Sequence, residues 1–219
     1  MARFVRETRA GLPLVWGGVH PSLLPDEVLG SGLADWIVRG DGEEVFPRLV
    51  GALASGAEPA SLEGLSRRRG DEVGHGPAAA APDLAGVFPL DYTLVDPTRY
   101  FSAAESSGSG RTVPIVTSRG CPGHCTFCAN TSYHGSRWRG LPAELVVEEI
   151  KRLQRDYAVD TVFSYDENAL HDPERFARIC EGLLADSVSV RLPGVSCRLG
   201  TLVKADDAFL RLLRRAGVV

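Results

Sequence analysis

The chain has no apolar run approaching the roughly 18 residues that a membrane-spanning helix needs. Its first ten residues are too charged for a secretory leader. Neither a membrane partner nor export is therefore expected, and the protein is read as cytoplasmic. A basic field is missing as well. The formal net charge is -4 over 219 residues, with no dense Lys/Arg run of the kind that phosphate backbones select for, so nucleic acid is not an expected partner. Cysteine is scarce. Five cysteines are too few for a disulfide scaffold in a chain of this length, and residues 1–120 contain none. Composition excludes disorder, because 44% hydrophobic and 24% charged residues are ordinary for a protein with a buried core.

Three of the five cysteines lie within eight residues of one another. Cys121, Cys125 and Cys128 form C-x3-C-x2-C, and such crowding in a cytosolic chain points to metal binding or redox chemistry rather than to a staple. Iron–sulfur clusters are held by thiolates, and a [4Fe–4S] cube usually takes four. Three protein ligands would leave one iron open to chelation by the amino and carboxylate groups of a substrate. The competing interpretation is a structural zinc site with His124 or His134 as fourth ligand. Zinc sites normally pair their cysteines and close all four positions, however, and no second C-x2-C follows. His124 otherwise reads as a solvated loop residue. Cys180 and Cys197 read as small core residues. Arg137 and Arg139 could meet a carboxylate or decorate the loop.

Periodicity organises the rest of the chain. Leu12–Trp16 and Ala34–Val38 read as strands, with helices over 25–29 and 43–53. This alternation of strand and helix predicts a parallel sheet. Residues 54–110 lose periodicity and hold Gly, Pro, Ser and Ala in abundance, which reads as a linker. Phe88, Leu90, Tyr92, Leu94, Tyr100 and Phe101 make its later part too aromatic for a free tether, so that part should lie against a neighbouring domain. From Thr112 the pattern is β-α-β-α-β-α. The strands are expected near 112–118, 161–165 and 189–197, and the helices over 142–157, from Asp172-Pro173 onward, and over 206–216. Glu148 and Arg152 should form an i, i+4 ion pair on the wet face of the 142–157 helix.

The stretch Ser118-Arg119-Gly120-Cys121-Pro122-Gly123-His124-Cys125-Thr126-Phe127-Cys128 resembles the cluster loop of the radical S-adenosylmethionine (radical SAM) superfamily. The resemblance implies that Cys121, Cys125 and Cys128 hold the cluster and that Phe127 packs near the adenine of S-adenosylmethionine. In the family the end of the second barrel strand holds the methionine amino group, and that position reads Tyr165-Asp166-Glu167-Asn168. Asp166 and Glu167 are therefore further candidates, acceptors at the carboxyl end of a parallel strand.

Upstream, Val15-Trp16-Gly17-Gly18-Val19-His20-Pro21 and Val38-Arg39-Gly40-Asp41-Gly42-Glu43 look like the closing third of the cobalamin-binding domain that precedes many radical SAM domains. There Gly17 and Gly18 would line the channel for the lower nucleotide tail of cobalamin. The implied architecture is α/β: the C-terminal part of a doubly wound cobalamin-binding domain over 1–53, a linker over 54–111, then the first half of a partial (β/α)6 radical SAM barrel over 112–219. The implied cofactors are a [4Fe–4S] cluster, S-adenosylmethionine and, in a full-length protein, cobalamin. The D-x-H-x-x-G segment of some cobalamin domains has no counterpart, and at about 30 residues per unit the barrel part holds three or four of six units. The sequence is thus expected to be truncated at both ends.

The implied function is reductive cleavage of S-adenosylmethionine, with methyl transfer from cobalamin to an unactivated carbon as the commonest outcome. Cobalamin-dependent cyclisation or rearrangement is the alternative on the same architecture, since fold does not fix chemistry. Methylthiotransferases need cluster cysteines in their N-terminal domain, where this chain has none. A non-catalytic zinc module is the remaining alternative. Expected partners are a small, natural-product-like substrate and a one-electron reductant of the flavodoxin or ferredoxin type.

Overall fold

In the computed structural model the described residues are 1–59, 62–70, 72–87, 89–101 and 110–219. They divide into two compact units, Met1–Asp83 and Leu84–Val219.

The first unit contains α1 (Ala2–Thr8), β1 (Val15–Gly17), α2 (Val19–Leu23), α3 (Pro25–Gly30), β2 (Trp36–Val38), α4 (Val45–Ser55), β3 (Leu65–Arg69) and β4 (Glu72–His75). Its sheet runs in the order β1-β2-β3-β4. β1 and β2 are parallel, with Val15 opposite Trp36 and Gly17 opposite Val38, as the alternation of strand and helix predicts. Strand β2 is buried on both faces, so its side chains serve two cores. Trp36 and Val38 pack with Val45 and Leu49 of α4, while Ile37 packs with Val28 and Leu29 of α3.

The expected linker over 54–111 is corrected by the structure. Strands β3 and β4 lie inside it and extend the sheet antiparallel from β2. The sequence hides this hairpin because β3 reads Leu-Ser-Arg-Arg-Arg, with apolar character only at its buried end. Arg67 compensates by lying over the Trp36 ring, 5.0 Å from its centroid, a use of the long side chain as apolar cover. The later part of the segment belongs to the second unit. Leu84 is buried in its core, Tyr92 meets Tyr157 edge-on at 5.8 Å, and Arg152 donates to the Leu90 carbonyl at 2.6 Å. Phe88, singled out with these aromatics, lies outside the described residues.

The second unit contains β5 (Thr112–Ile115), β6 (Ser118–Arg119), α5 (Asn130–Tyr133), β7 (Arg139–Gly140), α6 (Ala143–Tyr157), β8 (Thr161–Ser164), α7 (Pro173–Ala185), α8 (Leu199–Leu202) and α9 (Asp207–Arg215). β5 and β8 pair in parallel, Thr112 opposite Thr161 and Ile115 opposite Ser164. The run predicted as one strand over 112–118 breaks after Ile115, and β6 turns away to pair antiparallel with β7. The third strand predicted over 189–197 is reduced to two isolated parallel bridges, Thr161 with Arg191 and Leu192 with Val218. Pro193 follows at once and has no N–H to continue a ladder.

Helix α6 buries Val146, Val147, Ile150 and Leu153, and α7 buries Phe176, Ile179, Cys180 and Leu183. These faces meet over β5 and β8 in one core. As expected from Asp172-Pro173, Asp172 Oδ1 caps α7 by accepting from the Arg175 amide at 2.9 Å, and Asp206 Oδ1 caps α9 through the Phe209 amide at 2.8 Å. The predicted Glu148–Arg152 pair is not formed. Arg152 turns instead to Glu149 at 2.8 Å, and Lys151 takes Glu148 at 2.8 Å, both three residues apart.

Leu153 is fully buried in the α6–α7 core. Replacing it by alanine should cost roughly 2–5 kcal/mol in chemical denaturation; a loss below about 0.5 kcal/mol would contradict this packing.

Candidate functional site

The cysteine loop leaves the carboxyl end of β5 and the short strand β6, where parallel α/β folds gather their ligand sites. What fixes its position is a run of three residues, Asp166, Glu167 and Asn168, that follows β8 after Tyr165. Asp166 is 4% exposed, and its carboxylate accepts from the Thr117 amide at 2.6 Å, the Thr117 hydroxyl at 2.6 Å and the Ser118 hydroxyl at 2.8 Å. The next residue, Glu167, accepts from the Gly120 amide at 3.0 Å. Asn168, 1% exposed, follows with its side-chain amide 3.7 Å from the Cys121 sulfur. Residues 166, 167 and 168 thus meet residues 117–118, 120 and 121 in order.

Gly120 is required at its position. Its φ is +86°, and a Cβ there would sit 1.9 Å from the Arg137 carbonyl oxygen. Below the loop, Arg175 donates to the carbonyls of Leu141 at 2.5 Å and Thr117 at 2.8 Å. Burial lowers the pKa of this guanidinium, and Asp166 and Asp172 work against that shift. Sequence reasoning missed Arg175, although a cation four residues before Ile179 on an otherwise apolar helix face is a signal of a buried polar anchor. It also missed Trp138, whose indole donates to the Asn168 carbonyl at 3.0 Å.

The two candidate carboxylates therefore have different surroundings. Asp166 is enclosed and fully engaged with the loop root, so its carboxylate serves the loop and is not presented to a ligand. Glu167 keeps its side chain 40% exposed beside His134, whose Nε2 lies 3.5 Å from Oε1. Burial pushes the Glu167 carboxyl up, but the His134 ring and the amides of Glu167 and Gly120 outweigh it, and the net shift is downward. Glu167 is accordingly anionic at neutral pH, and the stabilisation it gains from these partners is present above the ordinary carboxylate range and lost as pH falls through the lowered value.

All five cysteines are free thiols. Cys125 and Cys128 are exposed and Cys121 is half-buried. Cys180 is fully buried, and burial, with Glu181 adding to it, pushes its thiol up to about 12. It is the inert core residue that its place on the helix face predicts. Burial raises Cys197 as well. Phe127 stands 90% exposed on the cysteine loop, an apolar ring with an open face. Among the described residues, no three His, Cys, Asp or Glu side chains converge on a single ion position. The two histidines weighed as a fourth zinc ligand are engaged elsewhere, His134 with Glu167 and His124 with the Ser136 hydroxyl at 3.3 Å.

In the first unit, Gly18 has φ +95° and a Cβ there would meet nothing within 4 Å, while one at Gly17 would only touch Val38 at 3.6 Å. The backbone after β1 is therefore open to close approach. No helix among the described residues is long and apolar enough to cross a membrane.

The chain, with three free thiols on a loop at the strand ends of its second unit, matches the Radical SAM superfamily over residues 115–219. It is similar to the anaerobic magnesium-protoporphyrin IX monomethyl ester cyclase of Synechocystis sp., with 32% identity across 98% of this chain and 42% of the relative. It is also similar to the cytidylyl-2-hydroxyethylphosphonate methyltransferase of Streptomyces wedmorensis, with 23% identity across 92% of this chain and 42% of the relative. The chain thus spans 42% of the length of each of these relatives. Among solved structures, the radical S-adenosylmethionine methyltransferase TsrM of Kitasatospora setae, determined with cobalamin and a [4Fe–4S] cluster bound, shares the fold with a TM-score of 0.73. That alignment has 21% identity and covers 99% of this chain and 42% of the other.

Removing the Asp166 carboxylate leaves three enclosed donors unsatisfied, each worth about 1–3 kcal/mol. Asp166→Ala should therefore destabilise the protein by at least about 2 kcal/mol in urea titrations, and Glu167→Ala by less than about 1 kcal/mol. Equal losses would refute the division of labour between them.

Proposed function

We propose that the protein holds a [4Fe–4S] cluster on Cys121, Cys125 and Cys128 and works as a radical SAM enzyme, with cobalamin as second cofactor and methyl transfer to carbon as its reaction. The observation that carries this is the three-thiol loop locked to the end of β8 with an anionic carboxylate beside it. The thiols fit the cluster by number and chemistry, since thiolates are the donors such clusters take. Two N–H groups aim at the Cys121 sulfur, the Gly123 amide at 3.4 Å and the Asn168 amide at 3.7 Å. A thiolate there meets donors, as ligand sulfurs in these sites do.

When bound, the cluster supplies one electron to the sulfonium of S-adenosylmethionine, which breaks a carbon–sulfur bond and leaves a carbon radical. The protein's part is placement. Glu167, held by Gly120 and facing the open side, is the residue to receive the methionine ammonium, a charge-assisted contact. Phe127 offers its exposed ring to the adenine, and Asp166 and Arg175 keep the loop root in place. Gly17 and Gly18 fit a group that must approach the backbone closely, which supports cobalamin on the first unit. The parallel β1–β2 pair with helices on both faces of β2 supports reading the first unit as the closing part of a doubly wound domain, and the parallel β5–β8 pair supports reading the second as the first half of a (β/α)6 barrel. A cobalamin-dependent cyclisation is the second reading, favoured by the identity to the cyclase.

Anaerobic reconstitution with iron and sulfide should give a brown protein with about four irons per chain, and Cys125→Ala should abolish that uptake. Stoichiometric zinc without iron uptake would overturn the proposal. In the reconstituted protein, Glu167→Gln should weaken S-adenosylmethionine binding by about tenfold or more in equilibrium dialysis. Unchanged affinity would remove Glu167 from the ligand site.

A further inference from the structure

Asn168 is a costly polar placement at the site. It is 1% exposed, and its Oδ1 has no hydrogen-bond partner, a condition that native interiors seldom tolerate without a reason. Its backbone leaves it little freedom to relax. The Asn168 carbonyl accepts both the Trp138 indole at 3.0 Å and the His171 amide at 3.1 Å, which pins the residue from the far side. The side chain then presents Nδ2 to the Cys121 sulfur at 3.7 Å. The opposite amide orientation would aim the Oδ1 dipole at a thiolate and is disfavoured by charge. Cys121 is also the more enclosed thiol of the three, with Cys125 and Cys128 exposed, so a hydrogen bond to it competes least with water.

We infer that Asn168 is a positioning residue for redox chemistry: its side-chain amide donates to the Cys121 thiolate and raises the reduction potential of the cluster held there. The inference rests on the cluster assignment made above. Reduction adds negative charge to the cluster and its sulfurs, and an N–H dipole directed at a ligand sulfur stabilises the reduced form more than the oxidised one. The Gly123 amide, 3.4 Å from the same sulfur, supplies a backbone donor that no side-chain substitution removes. Deleting the asparagine amide therefore leaves the sulfur with one of its two donors and should shift the potential without dismantling the ligand set.

The test is a potentiometric titration of the reconstituted protein, followed by electron paramagnetic resonance, on wild type, Asn168→Leu and Asn168→Ala. The two variants differ in volume but share the loss of the donor. Both should retain the wild-type iron content and show the cluster couple shifted to more negative potential. A shift common to both follows the hydrogen bond, whereas one seen only in the smaller variant would follow the cavity and overturn the inference. Unchanged potentials at full iron content would overturn it and leave the cysteine assignment standing. Loss of iron from both variants, with folding intact by circular dichroism, would assign Asn168 to holding the loop and likewise overturn it. Failure of the wild type to take up iron would overturn the cluster assignment and this inference together.

Discussion

The Asp166 carboxylate is the constraint from which the rest of the site follows. Strand β8 is held in a parallel pair with β5 by the core beneath it, but nothing in that pairing sets where the chain goes after Ile115. Three donors from Thr117 and Ser118 converge on one buried carboxylate and bring the root of the cysteine loop to the end of β8. With residue 166 fixed, Glu167 and Asn168 reach Gly120 and Cys121 in turn. Arg175 closes the arrangement from below through the Thr117 and Leu141 carbonyls. Buried polar networks of this kind favour a single geometry because every alternative leaves groups unsatisfied.

The same arrangement separates support from function. Asp166 and Glu167 are adjacent and chemically alike, yet one is enclosed by donors and the other stands beside solvent. Burial alternates along Tyr165, Asp166, Glu167 and Asn168, exposed, buried, exposed and buried, so neighbouring side chains face opposite surroundings. The enclosed carboxylate orders the loop, and the open one stands part-exposed beside His134. In this respect the chain follows the general pattern in which a rigid scaffold positions loops that carry the chemistry.

Much of this was legible in the sequence where the signal is local. The cysteine spacing, the Asp172-Pro173 start of α7, the apolar faces of α6 and α7 and the parallel pairs β1–β2 and β5–β8 were all visible in short windows. The misses are non-local. Strand β3 carries three arginines, and its pairing with β2 and β4 and the Trp36 ring make it a strand. The run over 189–197 has strand composition, but Pro193 and its surroundings leave only single bridges. Asn168 and Arg175 gain their roles from partners 47 and 58 residues away, a distance no periodicity reports. The pairing of Arg152 with Glu149 rather than Glu148 shows the same limit, because a neighbouring aromatic and a carbonyl decide the side chain's direction.

The central claim is that three thiolates hold a cluster whose remaining position is reserved for a ligand. Its most direct test is the electron paramagnetic resonance spectrum of the reduced, reconstituted protein recorded before and after addition of S-adenosylmethionine. The account predicts that the spectrum changes on addition, because the ligand enters the coordination of the cluster. A spectrum that S-adenosylmethionine leaves untouched at saturating concentration would contradict it.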